Sequence, residues 1–210
     1  MDGKTPHSAR RGKDAAYHHG DLRQALLNAA SELLATEGLE AVGIREIARR
    51  AGVSHAAPYR HYPNRDALLA DLAAAGFERL GRRFAQLPDA DAADRRLVDM
   101  ARGYVRFARD EPQAWRLMFG DAIDKTAYPA LLQVSRDVFE GLRRTVLALG
   151  VAAPAITETT AAWAMAHGIA QLVLDHRLDA HLDVTIDPDE LVREAAVIFL
   201  AGLRRTRENP

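Results

Sequence analysis

The sequence predicts an all-α chain, an N-terminal three-helix helix-turn-helix domain followed by a helical bundle, about nine helices in all. Three observations carry that expectation. Apolar residues recur at three- and four-residue intervals almost from end to end, and no convincing alternation of a half-buried strand interrupts them. Glycine and proline stand at the joins between periodic stretches, at Gly38, Gly52, Pro63, Pro88, Gly120, Pro129, Gly150 and Pro154. No internal repeat divides the chain into copies.

The elements follow in order. Asp21 is the expected N-cap of helix one, whose stripe of Leu22, Leu26, Ala29, Ala30, Leu33 and Leu34 ends at Gly38. Ile44, Ile47 and Ala48 mark a short second helix stopped by Gly52, and Ser54 is expected to cap a third that runs to about Tyr62 before Pro63. A longer helix from about Arg65 carries Leu68, Leu69, Leu72, Phe77, Leu80 and Phe84 toward Pro88. Five more are expected at roughly 91–110, 112–119, 126–149, 154–177 and 188–207. Small residues Ala162, Ala166 and Ala170 share one helix face and would admit a close neighbour. The last helix presents a stripe of Leu191, Ala195, Ile198, Phe199 and Gly202.

Composition narrows the classes. With 48% hydrophobic and 27% charged residues the chain can bury a core. The absence of cysteine excludes disulfides and thiolate-ligated metals and fits a reducing cytoplasm. The first twenty residues lack the apolar stretch of a signal peptide, and no run of about 18 apolar residues occurs, so a cytoplasmic location is expected. Charge is distributed unevenly. Residues 1–65 carry a net +3 and five of the eight histidines, and the remainder carries −4, the balance of a phosphate-binding end on a mildly acidic body.

The chemistry concentrates around the turn Arg50-Ala51-Gly52-Val53-Ser54. Gly52 supplies positive φ, Val53 plugs a small core, and the helix that follows would enter a major groove. That segment, about 43–62 with its preceding helix, opens with the small residues Ser54, Ala56 and Ala57 beside His55. Arg60 suits paired hydrogen bonds to guanine, and Tyr59, His61 and Arg65 suit phosphate oxygens. Arg10, Arg11 and Lys13 precede it in a polar tail, 1–19, readable as a DNA-contacting arm or as an unstructured end.

From Gly20-Asp21-Leu22 through Gly38, Ile44-Arg45-Glu46-Ile47-Ala48, Gly52-Val53-Ser54 and Tyr59-Arg60-His61-Tyr62-Pro63 to Leu68, the sequence closely resembles the N-terminal domain of the tetracycline-repressor (TetR) family. The resemblance implies a DNA-binding domain over 20–80 and a ligand-binding, dimerising domain over 81–210. It also implies that Arg45 contacts base or backbone, that Tyr59 and His61 contact phosphate, and that Arg65 does so where the family usually has lysine. Two departures stand out. Gly43 replaces the usual threonine or serine cap of helix two, and Pro58 removes a helical hydrogen bond and should tighten the turn it sits in.

The C-terminal part resembles a subgroup of that family with a tryptophan–histidine–glycine signature, here Trp163-Ala164-Met165-Ala166-His167-Gly168, with Glu111-Pro112-Gln113-Ala114-Trp115 upstream. Trp163 and His167 are one turn apart and share a helix face. They read equally as core or as pocket. Phe107, Trp115, Leu117, Met118 and Phe119 are core material from which an apolar pocket is also built. The expected ligand-pocket set is Phe107, Trp115, Met118, Phe119, Trp163, His167 and Gln171; the expected DNA-binding set is Arg45, Ser54, His55, Ala56, Tyr59, Arg60, His61 and Arg65.

No catalytic motif, no cofactor and no metal site is expected. His176 and His181, among Asp175, Asp179 and Asp183, lack the spacing of helix-borne ligands, and His18-His19 lies in the tail. The partners expected are a palindromic operator, a second copy of the chain and a mostly apolar effector. The rival classes are a helical enzyme or carrier and a protein–protein adaptor. Sequence-specific retention of a palindromic duplex, weakening steeply with salt, separates the first from a repressor. The second keeps the fold with DNA as a tether, and an operator affinity unchanged in Arg60→Ala and Tyr59→Ala would take the reading head away from this segment.

Overall fold

The computed structural model describes residues 11–88, 92–178 and 186–208, and within residues 11–21 and 207–208 it describes the backbone alone. Among these are eight α-helices of seven residues or more, labelled here α1 (Arg11–Glu37), α2 (Ile44–Arg50), α3 (Arg65–Ala85), α4 (Ala93–Asp110), α5 (Pro112–Phe119), α6 (Pro129–Ala148), α7 (Ile156–Leu174) and α8 (Pro188–Glu208). There is no strand among the described residues. The all-α class stands, with eight helices against the nine expected. The chain divides into two compact units, Met1–Leu72 and Ala73–Pro210.

In the first unit, Leu26, Ala30, Leu33 and Leu34 of α1 are buried with Ile44, Ile47 and Ala48 of α2 and Leu68, Leu69 and Leu72 of α3. The spacing that marked these helices is therefore the spacing of their shared core. α1 begins at Arg11, ahead of the Asp21 cap expected from sequence. Gly20 inside a helix costs only about 1 kcal/mol relative to alanine, too little to stop it. Residues 1–10 and the side chains of Arg11, Lys13, His18 and His19 lie outside the described part, so the expected arm does too.

The exit from α2 explains the glycine at position 52. Gly52 has φ 67°; its N–H donates to the carbonyl of Arg49 and that of Val53 to the carbonyl of Ala48. This pair of bonds satisfies two carbonyls left open at a helix end, and it requires the left-handed conformation that glycine takes without a Cβ clash.

One element differs from expectation. The segment from Ser54 to Tyr62 forms a 3-10 turn at Pro58–Arg60 rather than an α-helix, and Ser54 gives no side-chain cap to it. Pro58 has no N–H to donate to Ser54. Tighter bonds form instead, from Ala57 to Ser54, Arg60 to Ala57 and His61 to Pro58, and a single helical bond, from Tyr62 to Pro58, closes the segment. Buried Tyr62 then anchors the segment, its hydroxyl donating to Asp71 at 2.7 Å while Arg23 pairs with the same carboxylate.

In the second unit α4 is the central helix, packed against α5, α6, α7 and α8. Its buried side includes Leu97, Met100, Ala101, Tyr104, Phe107 and Ala108. On its exposed side Arg102 and Arg106 both donate to Asp189 in the first turn of α8, where a carboxylate also complements the helix dipole. α6 starts at Pro129, three residues later than expected, because Pro129 suits the first helical position and Lys125–Ala127 form a separate 3-10 turn. Ala162, Ala166 and Ala170 are all buried on α7, as their spacing suggested. Along α8 the core side is Val192, Ala196 and Leu200. Leu191, Ala195 and Phe199 of the expected stripe are half-buried, and Ile198 and Gly202 face outward.

Candidate nucleic-acid interface and ligand pocket

Two sets of side chains stand out, one in each unit. In the first, α2 and the Pro58 turn present Arg45, Ser54, His55, Ala56, Tyr59 and Arg60 to solvent, with Tyr59 52% exposed although it is a large ring. His61 is half-buried. The cations of this unit divide into two groups. Arg49 and Arg50 are occupied, Arg49 by both oxygens of Glu46 and Arg50 by Glu46 and Glu37. Glu46 is correspondingly held near pKa 2, chiefly by the hydrogen bonds from the two guanidiniums. Arg45 and Arg60 have no carboxylate partner among the described residues, so their guanidiniums can meet phosphate or base edges without breaking an existing pair.

Arg65, expected to contact phosphate, commits two of its five N–H donors within the protomer. Its Nε donates to the carbonyl of Val42 at 2.7 Å and its Nη2 to that of Leu39 at 2.6 Å. The guanidinium thereby ties the start of α3 to the connection between α1 and α2. Two parallel donors in a fixed plane are what arginine offers and lysine does not. At the entrance to α2, Gly43 caps through its backbone alone, consistent with the missing hydroxyl noted in the sequence.

In the second unit a cavity of about 650 Å³ lies among α3, α4, α6 and α7, within the size range of sites for drug-sized molecules. Its walls include Phe77, Leu80 and Phe84 of α3, Leu97, Met100 and Tyr104 of α4, Phe119 at the end of α5, Phe139 and Leu142 of α6, and Trp163 and Ala166 of α7. Of the seven expected pocket residues, Phe119 and Trp163 line it. Phe107, Trp115 and Met118 are at most 2% exposed and pack in the core instead. A helical period places all five on apolar faces, and only the neighbouring helices decide which of those faces meets a void. Gln171 is exposed and donates to Asp175 one turn on.

His167 sits one layer behind the wall. Its Nδ1 is 2.7 Å from the Tyr104 hydroxyl, which accepts from the Trp163 indole N–H at 3.4 Å. Because indole is a donor only, the tyrosine proton is free to point at Nδ1 of a neutral imidazole. Trp115 stacks on the His167 ring with centroids 4.8 Å apart, and Phe119 meets it edge-on at 5.1 Å. Burial, and secondarily the charge of Lys125, lowers the His167 pKa, while burial pushes the Tyr104 phenol well above its ordinary value. Tyr104 and Lys125, which the sequence reading passed over, are thus central. Tyr104 was visible as a large residue one turn before Phe107; Lys125, alone in a connecting segment, gave no signal.

A pH dependence follows. Well above the ordinary histidine pKa of 6.5, folded and unfolded chains both hold residue 167 neutral. As pH falls through that value the unfolded chain takes up the proton first, so stability declines until the folded imidazole also protonates. Thermal midpoints measured from pH 8 to pH 5 are expected to fall less in His167→Gln than in the unaltered chain. Equal slopes would remove His167 as the cause.

Among the described residues no cluster of three His, Asp or Glu side chains is placed to hold a metal ion. His181, Asp179 and Asp183 lie outside them, and Asp175 and His176 are exposed. No described helix is long and apolar enough to cross a membrane.

Comparison with known proteins places the two units in register with two family models. Residues 26–72 match that of the bacterial regulatory proteins of the tetR family, and residues 97–199 match that of the tetracyclin repressor-like C-terminal domain. Among curated proteins no match was found. Among solved structures, a protein of unknown function from Rhodococcus sp. RHA1 is 32% identical, with a TM-score of 0.78 over 89% of this chain and 97% of that one. A TetR transcriptional regulator from Streptomyces coelicolor is 22% identical, with a TM-score of 0.69 over 86% and 96%. A TetR variant from Acinetobacter baumannii AYE in complex with minocycline is 22% identical, with a TM-score of 0.63 over 88% and 97%.

Proposed function

The chain belongs to the tetR family of bacterial regulatory proteins and is a DNA-binding regulator of transcription, and from that premise we propose that it is a homodimeric repressor released from a palindromic operator by a small molecule. The observation that carries the reading is the exposed, unpaired set Arg45, Tyr59 and Arg60 beside a glycine-closed turn. Arg60 reads a base edge, and Arg45, Tyr59 and the flanking Ser54, His55 and His61 bind phosphates and fix register. Ala56 lets the segment approach the groove floor. Two such heads, one from each protomer, would meet successive major grooves about 34–36 Å apart.

The effector occupies the cavity of the second unit, as minocycline is bound by the Acinetobacter protein. α3 supplies three of the cavity's apolar walls and begins at Arg65, so one helix belongs to both activities. A ligand that favours one setting of α3 shifts the heads away from operator spacing, and one that binds both settings equally does nothing. The reading needs no chemistry on the ligand. We also retain the tryptophan–histidine–glycine subgroup, supported by the contact of Trp163 and His167 with a single hydroxyl, that of Tyr104.

The test uses a palindrome recovered by selection from random duplexes. Tyr59→Ala and Arg60→Ala are each expected to weaken binding by about ten-fold or more, corresponding to roughly 1–3 kcal/mol, with the thermal midpoint unchanged because both side chains are exposed. Arg65→Ala should instead lower the midpoint, since it strips donors from two carbonyls. Unaltered affinity in both exposed variants would remove this segment as the reading head.

A further inference from the structure

We propose that the effector is a monoanionic amphiphile, an apolar body ending in one carboxylate- or sulfonate-like oxyanion that pairs with Lys125 at the cavity wall. The proposal rests on the assignment of the cavity as the effector site and adds the ligand's charge and its anchoring residue.

Lys125 lines the cavity from the 3-10 turn between α5 and α6. Its ammonium lies 5.9 Å from the ring centre of Phe77 and 5.6 Å from that of Phe119. It has no hydrogen-bond or ion-pair partner among the described residues, although it is half-buried. Three carboxylates, one next to it in the chain and two on the cavity wall, are engaged elsewhere. Asp124 accepts from the Thr126 N–H at 2.9 Å and from its hydroxyl at 2.6 Å, which holds the turn. On the wall itself, Glu140 is bound by Arg143 through both oxygens, and Asp137 accepts from Gln133. Arg136 adds a further positive charge at the exposed edge of the lining. His167, the other basic group close by, is held neutral behind Tyr104.

This arrangement discriminates among ligands by charge. An uncharged apolar ligand would strip water from the ammonium and give nothing back, and an unpaired buried charge is expensive. A cationic ligand would find the faces of Phe77 and Phe119 already taken by Lys125 and would meet a like charge there. An oxyanion alone restores a partner to the ammonium while its apolar part lies along Leu80, Phe84, Leu97 and Met100. The lowered pKa of Lys125, caused by burial, is consistent with an ammonium short of compensation.

The test titrates the full chain, by fluorescence at fixed ionic strength, with 8-anilinonaphthalene-1-sulfonate and its uncharged analogue N-phenyl-1-naphthylamine. The sulfonate is expected to bind about ten-fold more tightly or better, a charge-assisted contact being the difference. Lys125→Met should abolish that advantage while leaving the uncharged probe within about two-fold, and Lys125→Arg should keep it. Equal binding of the two probes to the unaltered chain overturns the proposal whether or not the variants fold, as does an advantage that survives Lys125→Met. Tight binding of the uncharged probe alone also overturns it and leaves the cavity assignment standing. If neither probe binds, the cavity assignment fails and the proposal with it.

Discussion

Replacing Ile198 with glutamate is expected to turn the protein into a monomer and to lower its affinity for a palindromic duplex by on the order of 100-fold, because the second reading head then has to bind independently. Ile198 is 71% exposed on α8, with Val197 beside it at 45% and Leu172 of α7 at 41%. Gly168 on α7 and Gly202 on α8 border the same outward faces, and a Cβ at either would meet no atom within 4 Å in the protomer. Apolar side chains in contact with water, beside glycines that leave room for close approach, suit a helix-on-helix contact with a second copy. Glutamate at this position costs an isolated protomer little, but in the interface it places an unpaired charge against apolar surface. Light scattering gives the mass and circular dichroism shows that the fold persists. A glutamate variant that remains dimeric would move the interface elsewhere.

The second large effect concerns stability. Phe107→Ala is expected to cost about 3–5 kcal/mol and to lower the thermal midpoint by roughly 10 °C. Phe107 is fully buried on α4, with the Arg83 guanidinium 5.5 Å from its ring centre, and it does not line the cavity. Its removal should therefore leave a void in the core without altering which ligands bind. If the variant instead kept its midpoint and lost binding of the naphthalene probes, the division of core from pocket drawn above would be wrong.

Phe107 and Phe119 illustrate how far a sequence can be read. Both are aromatic, both lie on apolar stripes, and the helices that carry them, α4 and α5, were legible within one or two residues. Their fates differ because α5 ends at Phe119, whose ring turns toward Phe77, Tyr104 and Trp163 around the void. Phe107 meets a close-packed neighbourhood. A hydrophobic period reports that a face is apolar and does not report whether another helix fills the space opposite. Arg65 shows the same limit for charge. An arginine at the start of a helix beside a DNA-reading segment reads as a phosphate ligand, and nothing local announces that two carbonyls 23 and 26 residues upstream take two of its five donors.

The sequence by itself determined the helical class, the glycine-closed turn between α2 and the exposed segment, and the tightening of that segment by Pro58. These are local effects, set by periodicity, by positive φ and by a missing N–H within a few residues. The tertiary structure alone decided which aromatic residues surround a cavity, that Tyr104 joins Trp163 to His167, and that Lys125 lines the cavity with no counter-charge among the described residues. Those outcomes depend on residues distant in the chain meeting across a core, where volume and desolvation, rather than local propensity, set the energy.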